Sequence, residues 1–195
     1  MKYLFAILGF IVTLFAGGCT TSRAASTYFR NAGQNANVYV TSGYSAIHRV
    51  AVMPFKAETD LVGLAVSDQV VTELLRTGRY ELIERSQMTQ ILGEHELALA
   101  GVSAGRAAEV GAMLGADGVV IGTVAEYQKI AVRGKTYPSV AIACRLIDTK
   151  TGKVVWSVDV AGRADTSSIS LAQHSRNIIH DMIAGVFKGM SDARK

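Results

Sequence analysis

The chain has 195 residues, of which 49% are hydrophobic and 18% charged, and its formal net charge is +4. That length supports one domain with a sizeable core, and so small a charge falls well short of the basic surface of a nucleic-acid binder. The two cysteines build no disulfide framework: Cys19 lies at the end of the N-terminal apolar run, and Cys144 sits in an alternating apolar stretch that predicts a buried, inert thiol.

Lys2 supplies a short positive start, residues 3–15 are apolar apart from Gly9 and Thr13, and Ala16-Gly17-Gly18-Cys19 follows. Charge, apolar run and small residues in that order make a secretion signal, and the run is too short for a comfortable membrane span. Small residues directly before a cysteine resemble the lipobox of bacterial lipoproteins, although Ala16 stands where leucine is commonest. The expectation is a signal peptide over residues 1–18, cleavage between Gly18 and Cys19, and a covalent lipid on Cys19. Each buried methylene adds about 0.8 kcal/mol, so two or three acyl chains make an effectively permanent anchor. Thr20 next to the cysteine, rather than aspartate, implies by the same resemblance the outer membrane, with the chain facing the periplasm. Residues 19–46 are rich in Ser, Thr, Asn, Gln, Gly and Ala, and read as the lipidated N-terminus and a tether. Within them only Val38-Tyr39-Val40 offers a short strand.

The folded domain is expected over residues 47–195. His48–Phe55 holds a continuous apolar run ending at Pro54, the pattern of a central strand buried on both faces. Residues 61–77 carry apolar positions 62, 66, 70, 74, 71 and 75, a helical stripe stopped by Gly78. Tyr80–Glu84 is a short strand. Ser86 can cap a following helix whose inner face would hold Met88, Ile91, Leu92, His95 and Leu99, and Ser103 can cap an Ala-rich helix running to Leu114. Residues 117–132, then 140–146 and 154–160, read as an antiparallel meander, with Lys150-Thr-Gly152 a tight turn between the last two strands. Ile178, Ile179, Met182, Ile183, Val186 and Phe187 make a final amphipathic helix. The expected order is β-α-β-α-α-β-β-β-α, an α/β fold with a mixed sheet and helices packed on it in a single domain.

Two strings imitate catalytic motifs. Gly101-Val-Ser103-Ala-Gly105 has the esterase spacing, but a helix precedes it where a nucleophile elbow needs a strand, so Ser103 reads as a helix cap. Gly134-Lys-Thr136 resembles the end of a phosphate loop, but Lys129 stands where the loop needs glycine and Pro138 forbids the helix that would hold phosphate. It reads as a hairpin turn. His174 and His180 are spaced off a shared helix face, and no metal-ligand spacing occurs. The expectation is a non-enzymatic chain with no cofactor beyond the lipid, no metal and no small-molecule substrate.

Four segments resemble the curli production assembly/transport lipoprotein family: Val50–Phe55, Leu74–Arg85, Leu114–Val124 and Ile147–Trp156. The Leu114-Gly-Ala-Asp117 strand entry and the Asp148-Thr-Lys-Thr-Gly-Lys153 turn are the most telling, and the similarity runs in order over residues 48–190. The core is also similar to that of lipoproteins that activate cell-wall synthases and of flagellum-associated outer-membrane lipoproteins. The resemblance implies a role in assembly or export of an envelope or surface structure, with a homo-oligomeric ring and other envelope proteins as partners. In that family each subunit also gives two membrane-spanning hairpins to a shared barrel, one before the strand starting near Val140 and one after the strand ending near Gly162. A membrane strand needs about 9–11 residues, so each hairpin needs roughly 20 and a turn. Residues 127–139 and 162–170 are too short and polar for that, and the expectation is an anchored adaptor without its own pore. The hairpin tip, with Tyr127, Lys129, Arg133, Lys135 and Tyr137, is the first candidate contact surface, and the exposed face of the final helix the second. The alternative is a flagellum-associated outer-membrane lipoprotein or a monomeric activator of a peptidoglycan synthase, the latter disfavoured by the absence of proline enrichment in the tether.

Overall fold

The computed structural model describes residues 36–100 and 103–193. Its element order is β1 (Asn37–Val40), a short 3-10 helix (Ser42–Ala46), β2 (Arg49–Val52), α1 (Asp60–Thr77), β3 (Glu81–Leu82), α2 (Arg85–Ala100), α3 (Ala104–Met113), β4 (Gly118–Val132), β5 (Lys135–Asp148), β6 (Val154–Arg163) and α4 (Leu171–Asp192). The six strands form one mixed sheet in the order β1-β6-β5-β4-β2-β3. β2 runs parallel to both β3 and β4, as the helical connections between them require, and the remaining pairs are antiparallel.

Helices cover the two sheet faces unequally. α1 and α4 pack on one face, where Val66, Val70, Leu74, Ile179, Met182 and Ile183 meet Val120, Ile142, Leu146, Trp156 and Val158. α2 and α3 cover the other face only around β2, the start of β4 and the end of β5, enclosing Ala51, Met53, Val119, Ile121 and Ile147 with Met88, Leu97 and Val110. β2 is therefore covered on both sides, and Val50, Ala51, Val52 and Met53 are all buried, as its unbroken apolar run requires. On the second face, Tyr39, Ala143, Arg145, Asp159 and Ala161 of β1, β5 and β6 are exposed.

The helix ends follow local chemistry. The Thr59 hydroxyl accepts from the Val62 N–H at the start of α1, Ser103 accepts from Arg106 at α3, and Ser170 accepts from Gln173 at α4. Gly78 closes α1 in the left-handed conformation.

Three expectations need correction. The folded region begins before residue 47, because Asn37–Val40 pairs along β6 and the buried Tyr44 hydroxyl donates to the Met190 carbonyl at 3.1 Å. In α1, Leu75 is 54% exposed: the buried stripe runs instead through Gly63, Val66, Ser67, Val70, Glu73 and Leu74. In α2, Ser86 lies inside the first turn rather than capping it, and Gly93 at φ 76 breaks the helical path. A left-handed residue is accessible to glycine at little cost, and it resets the phase of the helix. Beyond the break His95 is exposed while Leu97 is fully buried, and before it Ile91 is exposed as well. The side chain of Leu99 lies outside those described.

Candidate functional site

The β4–β5 hairpin is much longer than the sheet it belongs to. β2 accompanies β4 only through Val120, with an isolated bridge at Thr123, and β6 leaves β5 at Ser139, opposite Arg163. Beyond these points the register continues from Gln128↔Ser139 through Lys129↔Pro138, Ile130↔Tyr137 and Ala131↔Thr136 to Val132↔Lys135. The result is a two-stranded ribbon, held at its base where the Ala164 N–H donates to the Pro138 carbonyl at 2.8 Å. Its turn is Arg133-Gly134, with φ values of 49 and 76. Two successive left-handed residues make the primed turn whose twist matches a tight hairpin, so Gly134 serves the hairpin and not a phosphate loop.

This ribbon brings together all five residues singled out for the tip. Lys129, Arg133 and Lys135 are exposed, whereas Tyr127 and Tyr137 are half-buried. Tyr127 packs at the ribbon base against the main core. Tyr137 lies under the Arg163 guanidinium, 5.4 Å from ring centroid to carbon. A cation over an aromatic face is attracted by the ring quadrupole. The cross-strand pair Ile130 and Tyr137, with Val132, gives one side of the ribbon a half-exposed apolar strip. No acidic residue occurs between positions 127 and 139.

At the ribbon base a cleft of about 420 Å³ is lined by Arg163, Asp165, His174, Asn177 and Asp181 among others. His174 is buried there, with Nε2 2.8 Å from the Gly162 carbonyl oxygen. A second cleft of about 410 Å³ lies between α1 and α4. Its floor is a polar seam that sequence reasoning missed: Glu73 is buried with Oε1 2.7 Å from His180 Nδ1, and the Ser175 hydroxyl donates to Gln69 Oε1 at 2.7 Å. Glu73 stands one heptad after Val66 on the inward stripe, which marks a buried carboxylate, but nothing in the sequence marks His180 as its partner. The seam binds the two helices that cover the main core, and its histidine and carboxylate hold each other.

Of the esterase-like string, Gly101 and Val102 lie outside the described residues. Ser103 is an exposed helix cap. Cys144 is buried, with Sγ 3.9 Å from Met182 Sδ, and burial pushes its thiol far above the ordinary range, which leaves it un-ionised and unreactive. Among the described residues no cluster of His, Cys, Asp or Glu could hold a metal, and no helix is long and apolar enough to cross a membrane. Asp117, at the entry to β4, accepts from the backbone N–H groups of Arg49 at 2.9 Å and His48 at 3.1 Å. These bonds, the Arg49 one foremost, hold its carboxyl below the usual carboxylate range. It ties β2 to β4 and is structural. Gly18 and Cys19, expected at the lipidation site, lie outside the described residues.

The family model for the curli production assembly/transport component CsgG matches residues 30–193. Among solved structures, the chain is similar to the PelC dodecamer from Paraburkholderia phytofirmans, with a TM-score of 0.57 and 18% identity over 77% of this chain and 94% of that one. It is also similar to the lipoprotein GNA1162 from Neisseria meningitidis, with a TM-score of 0.52 and 20% identity over 63% of this chain and 87% of that one. At such identities these two likenesses speak for the fold. No curated protein sequence matches the chain. The family match covers every described strand and helix, and the chain belongs to the CsgG family of curli production assembly/transport components.

Proposed function

We propose that this chain is a non-catalytic lipoprotein of the outer membrane, facing the periplasm, that acts in assembly or export of an envelope or surface structure. The family match over residues 30–193 carries this reading. Cys19 holds the acyl chains, the residues after it set the reach, and the folded domain recruits partners. Tethering raises the local concentration of the domain near those partners, so weak contacts suffice. The reading includes a homo-oligomeric ring, supported by fold similarity to a protein that forms a dodecamer. It excludes a self-made pore: the ribbon's strands beyond the sheet cover residues 128–138, roughly half of what a membrane-spanning hairpin needs. The ribbon is the contact surface, because beyond its base no third strand pairs with it.

Three measurements test this. Mass determination of residues 20–195, and of the detergent-solubilised acylated chain, should give an oligomer. A strict monomer in both overturns the ring and favours a one-to-one activator of a cell-wall enzyme. Labelled palmitate should enter the wild-type chain and not Cys19→Ala, and equal incorporation overturns the anchor. Deletion of the chain should remove a surface structure that the wild type restores and Cys19→Ala does not.

A further inference from the structure

We infer that the β4–β5 ribbon docks on the anionic headgroup surface of the phospholipid leaflet that holds the anchor, giving the domain a second membrane contact and a fixed orientation. This rests on the anchoring and contact surface proposed above and names the ribbon's partner.

The first argument is direction. β1 and β5 both run antiparallel to β6, so they point the same way. Asn37 sits level with Asp159, which is level with Ala143 of β5. The chain before Asn37 therefore enters the sheet from the side on which β5 begins, and β5 begins at the ribbon tip. Tether and ribbon leave the domain at one end. At about 3.4 Å per residue, the tip at Lys135 reaches roughly 27 Å beyond the level of Ala143. Residues 20–36 separate Cys19 from β1, and 17 residues span at most about 60 Å. The tether is thus long enough for Cys19 to stand at the membrane while the tip touches it, and short enough to keep the tip near.

The second argument is complementarity. Lys129, Arg133 and Lys135 are exposed on the ribbon, and Arg163 lies over Tyr137 at its base. The nearby carboxylates are all at the base: Glu58 and Glu126 line one hollow there, Asp60 begins α1, and Asp165 follows β6. Glu126 is six residues from Val132, about 20 Å along the strand, or two screening lengths at 0.1 M salt. The turn cations Arg133 and Lys135 therefore act unopposed, while Lys129, three residues from Glu126, stands about one screening length, ~10 Å, away from it. Ile130, Val132 and Tyr137 add an apolar and aromatic strip of the kind that settles at a membrane interface. A lipid leaflet fits this combination, because phosphates attract the cations while the boundary with the acyl chains receives the strip. The ribbon is too short to cross, so it lies on the surface.

The test uses the unacylated chain, residues 20–195, which retains both cores and has no lipid to confound binding. Sedimentation is measured with phosphatidylethanolamine vesicles containing phosphatidylglycerol, and with phosphatidylcholine vesicles alone, at low salt. Binding to the anionic vesicles only is expected. The combined change Lys129→Ser, Arg133→Ser, Lys135→Ser should weaken it roughly a hundredfold, about fivefold per cation, while Lys129→Arg with Lys135→Arg retains it. Failure of the wild-type chain to bind, or equal binding by the triple variant, overturns the proposal. Oligomer mass is read on the same variants. Lost binding with unchanged mass supports membrane docking and leaves the assembly reading intact. Joint loss of mass and binding makes the ribbon a subunit contact and overturns the proposal.

Discussion

One pair of strands passes through two environments. From Gly118 to Val124, β4 lies inside the sheet, and Val119, Val120 and Ile121 are buried, with helices on both faces. From Lys129 to Val132 the same strand has one neighbouring strand and no fully buried side chain. The β-bulge between Val124 and Glu126 falls at the change, where a bulge bends the strand and increases its twist. The difference teaches that alternation sets which residues share a face, while the neighbouring elements decide whether that face is buried. In the inner half, alternation makes a core. In the outer half it makes a two-sided ribbon free to bind.

If that division holds, substitutions in the inner region are costly and those at the tip are nearly silent in stability. Trp156→Ala should have the largest effect. The ring is fully buried, and its Nε1–H donates to the Tyr80 hydroxyl at 3.2 Å, so the change opens a cavity and strands a buried polar group. We expect a loss of about 3–5 kcal/mol in denaturant unfolding. A loss below 1 kcal/mol would break the comparison.

Gly63→Ala should follow. A Cβ there would stand 2.0 Å from the Phe55 carbonyl oxygen, so α1 would have to lift from the segment after β2. About 1–3 kcal/mol should be lost in the same unfolding measurement.

A pH series on Asp117→Ala sharpens the picture at the rim of the inner region. The carboxyl is depressed in the folded state, so its contribution is present above the unfolded carboxylate value, about 3.9, and disappears as pH falls through the folded value. The wild type should be the more stable at neutral pH, and the gap should close on acidification below pH ~4. A gap independent of pH would show that the backbone bonds do not act through the charge.

The smallest effect belongs to the ribbon. Lys129→Ser with Arg133→Ser and Lys135→Ser should shift unfolding by less than about 0.5 kcal/mol, as expected for exposed side chains without buried partners. A larger shift would mean that the ribbon belongs to the cooperative core and not to the free surface.

Much of the fold could be read from particular residues. The unbroken run at Val50–Met53 gave the doubly covered strand, and Ser103 and Gly78 marked helix ends because capping chemistry is local. The phase of α2 could not be read, because periodicity assumes a continuous helix and Gly93 interrupts it. Val38–Val40 reads as a short strand but within the tether, since the place of β1 in the domain depends on β6 and on Tyr44, which lie outside its own pattern. Of the candidate site, the basic turn at Arg133-Gly134 was legible as a turn and the five tip residues as a group. The polar seam of Glu73 and His180 was not, because its members are 107 positions apart and meet only when α1 packs on α4.

The sequence by itself determined the family, the α/β order of elements, the hairpin turn and the absence of room for membrane-spanning hairpins. These depend on local spacing, glycine and proline geometry, and chain length, all of which are fixed before folding. Only the tertiary structure decided that β2 and β6 withdraw from the hairpin and leave a bare ribbon, and that β1 enters the sheet from the ribbon's end. Strand order and register are set by which faces must be buried together. A single strand's pattern states that need, but the partners that meet it lie far away in the chain.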